Sequence, residues 1–237
     1  MTFDSSANRP PSGPAPAPDL AVGLRVLELL ASKVCHDLVS PVGAIRNGLE
    51  LIEEMQEDED GPPSGGFFGE AVKLIDHSSG QADRRLRVFR LAYGLAGRDQ
   101  KGFGDARAAA AGWLDGGRTR LDWPERTPGD MMACRRGVVK LLLNLVLLAD
   151  EALTHGGTVT VAGEGTEEQG RLTVTAAGRP GALAPDSATA LAGTVPAADL
   201  TPRTIHAYMT GRFAEDDGFR VAAIPSGPDR LVFTAVW

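Results

Sequence analysis

Cysteine is nearly absent: the 237-residue chain has two, Cys35 and Cys134. Neither lies in a Cys-x-x-Cys pair or a ligand-spaced set, so neither a disulfide framework nor a zinc site is expected. A reducing, cytoplasmic setting fits that usage. Aromatic residues make up 5% of a chain that is 43% hydrophobic, so its core must be aliphatic. The longest apolar run, Leu141 to Ala149, is interrupted by Asn144. It falls far short of the ~18–20 residues that span a bilayer, so no membrane segment is expected. Basic side chains are the minority, 24 against 31 acidic, for a net charge of −7. Phosphate backbones attract basic surfaces, so nucleic acid is not expected as a partner. No basic start followed by an apolar stretch opens the chain, so no secretion signal is expected.

What is present divides the chain into three. Residues 1–19 hold five of the 16 prolines with much Ala and Ser, and read as a flexible tail. From Asp19, a candidate cap, the pattern becomes heptad. Leu24, Ala31, Leu38, Ile45 and Ile52 form one row, and Leu27, Val34, Pro41, Gly48 and Met55 the other. An acidic run, Glu53 to Asp60, and then Gly61-Pro62-Pro63 stop this helix. Ser64 can cap a second helix, with Phe68, Ile75, Ala82, Phe89 and Ala96 in one row and Val72, Ser79, Leu86 and Tyr93 in the other. A short turn between long helices predicts an antiparallel hairpin over residues 20–97. Leu20, Val26, Leu30, Val42 and Leu49 widen its apolar face beyond what one hairpin buries. A homodimer pairing two hairpins into a four-helix bundle is therefore expected.

After a Gly-rich linker, Gly97 to Gly104, residues 103–237 read as α/β. Helices are predicted over Phe103–Leu114, Asp130–Leu153, Ser187–Gly193 and Thr201–Glu215. Strands are predicted over Thr119–Trp123, Thr158–Ala162 and Arg171–Ala176, with a final hairpin from Arg220–Ile224 and Leu231–Val236. The fold class is α+β, with helices on one face of an antiparallel or mixed sheet.

The centre of the first helix reads Cys35-His36-Asp37-Leu38-Val39-Ser40-Pro41. His36 takes the heptad position opposite the seam and should project into solvent. Imidazole is a good nucleophile near neutral pH. Asp37 can accept from the ring Nδ1–H, orienting Nε2 and stabilising the charge that develops during attack. Ser40 lies one turn on. Pro41 removes a helix hydrogen bond beside the histidine. His77, His155 and His206 lack the following acidic residue and the heptad position of His36, and no Ser-His-Asp or metal constellation is legible.

The segment His36-Asp37-Leu38-Val39-Ser40-Pro41 resembles the phospho-acceptor box of histidine kinases. The longer string from Lys33 to Ile52 resembles the ChpT family of histidine phosphotransferases. That resemblance implies a homodimer whose C-terminal α/β sandwich is like a histidine-kinase ATPase domain but binds no ATP. It implies that His36 takes a phosphoryl group from the phospho-aspartate of one receiver domain and passes it to the aspartate of another. Asp37 then orients His36, and Ser40 helps position water or phosphoryl oxygens. Mg²⁺ comes from the receiver's acidic pocket, so this chain binds no cofactor of its own. The implied partners are a hybrid histidine kinase and CtrA-like and CpdR-like response regulators.

The ATPase-like region departs from a working one. Asn144 stands where a Mg²⁺-binding Asn belongs, but Ala176-Ala177-Gly178-Arg179 replaces the adenine-reading Asp-x-Gly box, and no Gly-rich lid follows. Asn144 reads as a remnant or as an Asn on the exposed side of its helix. Charge adds a further expectation. Residues 19–60 carry three basic and ten acidic groups, whereas residues 61–100 carry six basic and four acidic. With the turn near Gly61, His36 lies level with Arg87, to within about one helical turn. Arg84 and Arg87, with Cys35, Val39 and Gly43, are therefore expected to meet an acidic receiver surface or the phosphoryl group. The rival readings are an active histidine kinase and a non-catalytic scaffold that only docks receivers.

Overall fold

The computed structural model describes residues 23–57, 65–100, 102–125, 130–179 and 183–237. The expected tail over 1–19 and the caps at Asp19 and Ser64 lie outside them. Helix α1 runs Leu24–Glu57 and α2 runs Gly65–Ala92. They pack antiparallel, and Val34, Leu38, Pro41, Ile45 and Gly48, drawn from both rows of the heptad reading, are the covered positions. Gly48 lets the helices approach closely: a Cβ there would stand 2.6 Å from Ile75 Cγ1 and 3.3 Å from the Ala71 carbonyl.

The first turns of α1 depart from the heptad expectation. Leu24, Leu27 and Ala31 are exposed, whereas Val26 and Leu29 are buried and Leu30 is half-buried. Here α1 packs on the C-terminal region, α6 included, and that contact rotates the covered face. Val26 and Leu30 are therefore covered by their own chain, and are not part of the surplus face assigned to a dimer.

Helix α3 spans Gly104–Leu114, β1 Thr119–Asp122, α4 Val138–Glu151, β2 Gly157–Gly165 and β3 Gly170–Ala177. Then come α5 Pro185–Leu191, α6 Ile205–Asp216, β4 Arg220–Pro225 and β5 Arg230–Val236. The five-stranded sheet has the order β1-β2-β3-β5-β4. Only β1 and β2 pair in parallel, so the sheet is mixed. Alternate residues face inward, and Val159 pairs with Ala176, Val161 with Val174, and Val174 in turn with Phe233. Helix α4 is buried on every side from Val138 to Ala149 and is apolar there apart from Lys140 and Asn144. One buried cluster joins Val26, Leu29, Val88 and Phe89 of the hairpin to α4 and the sheet.

The single helix expected over Asp130–Leu153 is two elements. A 3-10 turn covers Asp130–Cys134, and Gly137 then takes a left-handed φ of 81° before α4 begins. Apolar periodicity continues through that break, which is why the sequence reads as unbroken. The helix expected from Thr201 begins at Ile205, because the Thr204 hydroxyl engages Thr201 in a turn just before it.

Candidate functional site

His36 stands on the outer face of α1 with 88% of its side chain exposed, while the Asp37 side chain beside it is 17% exposed. His36 Nδ1–H donates to Asp37 Oδ1 across 3.2 Å. A carboxylate can only accept, so Nδ1 carries a hydrogen, and Nε2 has no hydrogen-bond partner among the described residues. Pro41 lies inside α1 and has no N–H to offer the Asp37 carbonyl one turn back. Cys35, Val39 and Ser40 are exposed beside His36, and Gly43 has open space where a Cβ would sit. These five residues share one accessible face of α1.

Beside His36 lies a cavity of about 550 Å³ between α1 and the C-terminal region. Ser32, Lys33, His36 and Asp37 form one wall; Glu151, Ser187 and Arg203 are on the other. Lys33 Nζ donates to Glu151 Oε1 at 3.1 Å and stands 4.0 Å from Asp37 Oδ2. Asp37 thus faces the His36 ring with one oxygen and the Lys33 ammonium with the other.

Behind Glu151 is a buried polar chain. His206 Nδ1–H donates to Glu151 Oε1 at 3.0 Å, and His206 Nε2 lies 3.2 Å from Asn144 Oδ1. The Asn144 orientation is fixed, because its Nδ2 donates to the carbonyls of Ala92, at 2.8 Å, and Lys140, at 2.9 Å. Its Oδ1 therefore accepts from His206, and both His206 nitrogens carry hydrogen: the ring is an imidazolium beside a carboxylate. Burial by itself would push the Glu151 carboxyl up. The His206 and Lys33 cations outweigh it and hold the group down at about 2. The Tyr93 ring packs edge-on to His206, and burial, followed by the charges of Glu151 and Asp37, pushes its hydroxyl well above the usual range.

The fold places Asn144, His206 and the two arginines as follows. Asn144 is not on an exposed face; it is fully buried and tied to three partners. His206 does have an acidic neighbour, supplied through space by α4. Arg84 and Arg87 do not share the His36 cavity. They line a separate one with Asp83, Arg90, Asp105 and Gly112 between α2 and α3. Arg87 pairs with Asp83 at 2.8 Å, and the Arg84 stem lies across Gly112. The cations that do face the His36 cavity, Lys33 and Arg203, were not singled out in the sequence. Lys33 had a signal, its place one turn before His36; Arg203 and Glu151 had none.

The comparisons with known proteins bear on this arrangement. Residues 103–229 match the family described as histidine phosphotransferase C-terminal domain. The chain belongs to the histidine phosphotransferase family. It is 34% identical over 221 residues to the protein phosphotransferase ChpT of Brucella abortus (strain 2308), covering 91% of this chain and 99% of that one. A solved structure, described as that of a bacterial phosphotransferase, superposes with a TM-score of 0.70 at 32% identity. That match covers 92% of this chain and 98% of the other. The family's chemistry is phosphoryl transfer, and no described helix is long and apolar enough to cross a membrane.

Proposed function

We propose that the chain is a phosphorelay histidine phosphotransferase in which His36 carries the phosphoryl group between receiver domains. The observation that carries this reading is the exposed His36 ring, its Nδ1 engaged by Asp37 and its Nε2 free. Nε2 attacks the phosphorus of a receiver's phospho-aspartate, and the aspartate leaves as carboxylate. Nδ1 keeps its proton, and Asp37 steadies the ring charge. Reversal toward a second receiver's aspartate completes the relay. Mg²⁺ belongs to the receiver's pocket, and Ser40 helps position water or phosphoryl oxygens.

The receiver footprint covers Cys35, Val39 and Gly43, with Arg84 and Arg87 at its edge, where they meet acidic residues rather than the phosphoryl group. By resemblance to ChpT, the receivers belong to a hybrid kinase and to CtrA-like and CpdR-like regulators. The working form is a homodimer. Val42 and Leu49 on α1, and Phe68, Val72 and Leu86 on α2, are large apolar side chains left exposed on the hairpin. ATP plays no part: the Asn144 amide is spent on Ala92, Lys140 and His206, and Ala176 stands in place of the adenine-reading Asp.

The test is phosphotransfer from a phosphorylated receiver domain to wild type and to His36→Ala. Transfer is expected only to wild type. Calorimetry showing micromolar ATP affinity would instead favour a kinase, and relay function surviving His36→Ala would favour a scaffold.

A further inference from the structure

We propose that Lys33 is the cation that receives the phosphoryl oxygens arriving at His36, and that Glu151 is the positioning residue that holds it there. The inference rests on the reading of His36 as the phosphoryl acceptor.

Lys33 stands one helical turn before His36, so the two side chains are neighbours on the surface of α1. A surface lysine ordinarily keeps much rotamer freedom. This one has little: its side chain is only 20% exposed and its ammonium is drawn to two carboxylates, Glu151 at 3.1 Å and Asp37 at 4.0 Å. Glu151 is itself fixed by His206, His206 by Asn144, and Asn144 by two backbone carbonyls. The lysine is therefore held at the end of a chain of partners rooted in the core, with its place set before any phosphoryl group arrives.

The charge balance shows why a held cation matters. The charged side chains lining the cavity are Lys33 and Arg203 against Asp37 and Glu151. A phosphoryl group on Nε2 brings nearly two further negative charges next to the Asp37 carboxylate. An ammonium has three N–H donors. With one toward Glu151 and one toward Asp37, the third is free for a phosphoryl oxygen, and no existing contact has to break. Arg203 shares the cavity but has no ion-pair partner among the described residues, so nothing fixes its head group in advance. In the transfer, the Nε2–P bond forms as the P–O bond to the donor aspartate breaks. Lys33 moves no proton; it offsets charge that is in transit.

The test uses the full chain and phosphoramidate, whose P–N bond breaks with release of ammonia as His36 is phosphorylated, followed by ³¹P NMR. His36→Ala is expected to give no phosphohistidine signal. Lys33→Met should slow its appearance at least about tenfold and shift the resonance, since removing one pre-positioned donor commonly has effects of that size or more. Lys33→Arg should retain most of the rate. Glu151→Gln should slow the reaction in the same direction, and Glu151→Asp should restore it. The Lys33→Met/Glu151→Gln double variant should be no slower than Lys33→Met alone, because Glu151 acts through Lys33. A Lys33–Glu151 pair that only straps α1 to α4 would change the unfolding midpoint and leave rate and resonance at wild-type values. A wild-type rate in Lys33→Met would overturn the proposal even if Glu151→Gln failed to fold. A phosphohistidine signal surviving in His36→Ala would overturn the acceptor reading itself, an outcome distinct from the others.

Discussion

Asn144 and His206 meet side chain to side chain at 3.2 Å inside the protein, where the sequence alone suggests a relic of metal binding. The amide has become a clasp: one end holds the carbonyls of α2 and α4, and the other fixes the ring that fixes Glu151.

Asn144→Leu should therefore destabilise the fold by about 2–4 kcal/mol, because a charged ring donor and a buried carbonyl lose their partners together. Urea unfolding of wild type and variant reads this directly. A change within about 0.5 kcal/mol, the range of an ordinary surface substitution, would show that the clasp contributes nothing.

Glu151 makes stability depend on acid. Its carboxyl has an ordinary value of 4.5 and is held at about 2 in the fold, so the unfolded chain binds the proton first as pH drops. Its stabilisation is complete above the ordinary value and is lost as pH falls toward the folded one. Its side chain is 38% exposed, and screening by solvent keeps the effect to about 1 kcal/mol. Between pH 5 and 3 the urea midpoint of wild type should fall more steeply than that of Glu151→Gln. Parallel curves would remove Glu151 from the account.

The hairpin is the part most legible in the sequence, because Leu38, Pro41, Ile45 and Gly48 repeat at the spacing that packs two helices and no distant partner alters them. Periodicity misled where the covering element is remote in the chain. Val26 and Leu29 displace Leu24 and Leu27 from the inner face because α6, from the far end of the chain, lies against them. It also ran unbroken across Gly137, where only a backbone angle marks the end of the 3-10 turn and the start of α4. At the site, His36 and Asp37 are adjacent in sequence and could be paired by eye. The Lys33–Glu151 contact spans 118 residues, and no local pattern encodes it.

Dimerisation is expected to depend on the exposed row rather than the inner one. Leu49→Glu should give a folded chain at half the wild-type mass by light scattering, since an unpaired charge is costly to bury at an apolar interface. A wild-type monomer at micromolar concentration would contradict the bundle.

Arg87→Glu should slow transfer from a phosphorylated receiver and weaken its salt dependence while leaving the fold intact. Attraction between exposed charges is screened beyond ~8 Å at physiological ionic strength, so the salt slope reports whether this arginine guides encounter. An unchanged rate and slope would reduce the Arg84–Arg87 face to a solvated surface.

The central claim is that His36 carries the phosphoryl group on a ring nitrogen, and the chemical stability of the transferred label tests it most directly. Wild type incubated with a radiolabelled phospho-receiver should acquire label that is lost in acid and kept in base, as a phosphoramidate bond behaves, and His36→Ala should acquire none. Label that survives acid, or that appears undiminished on His36→Ala, would contradict the account.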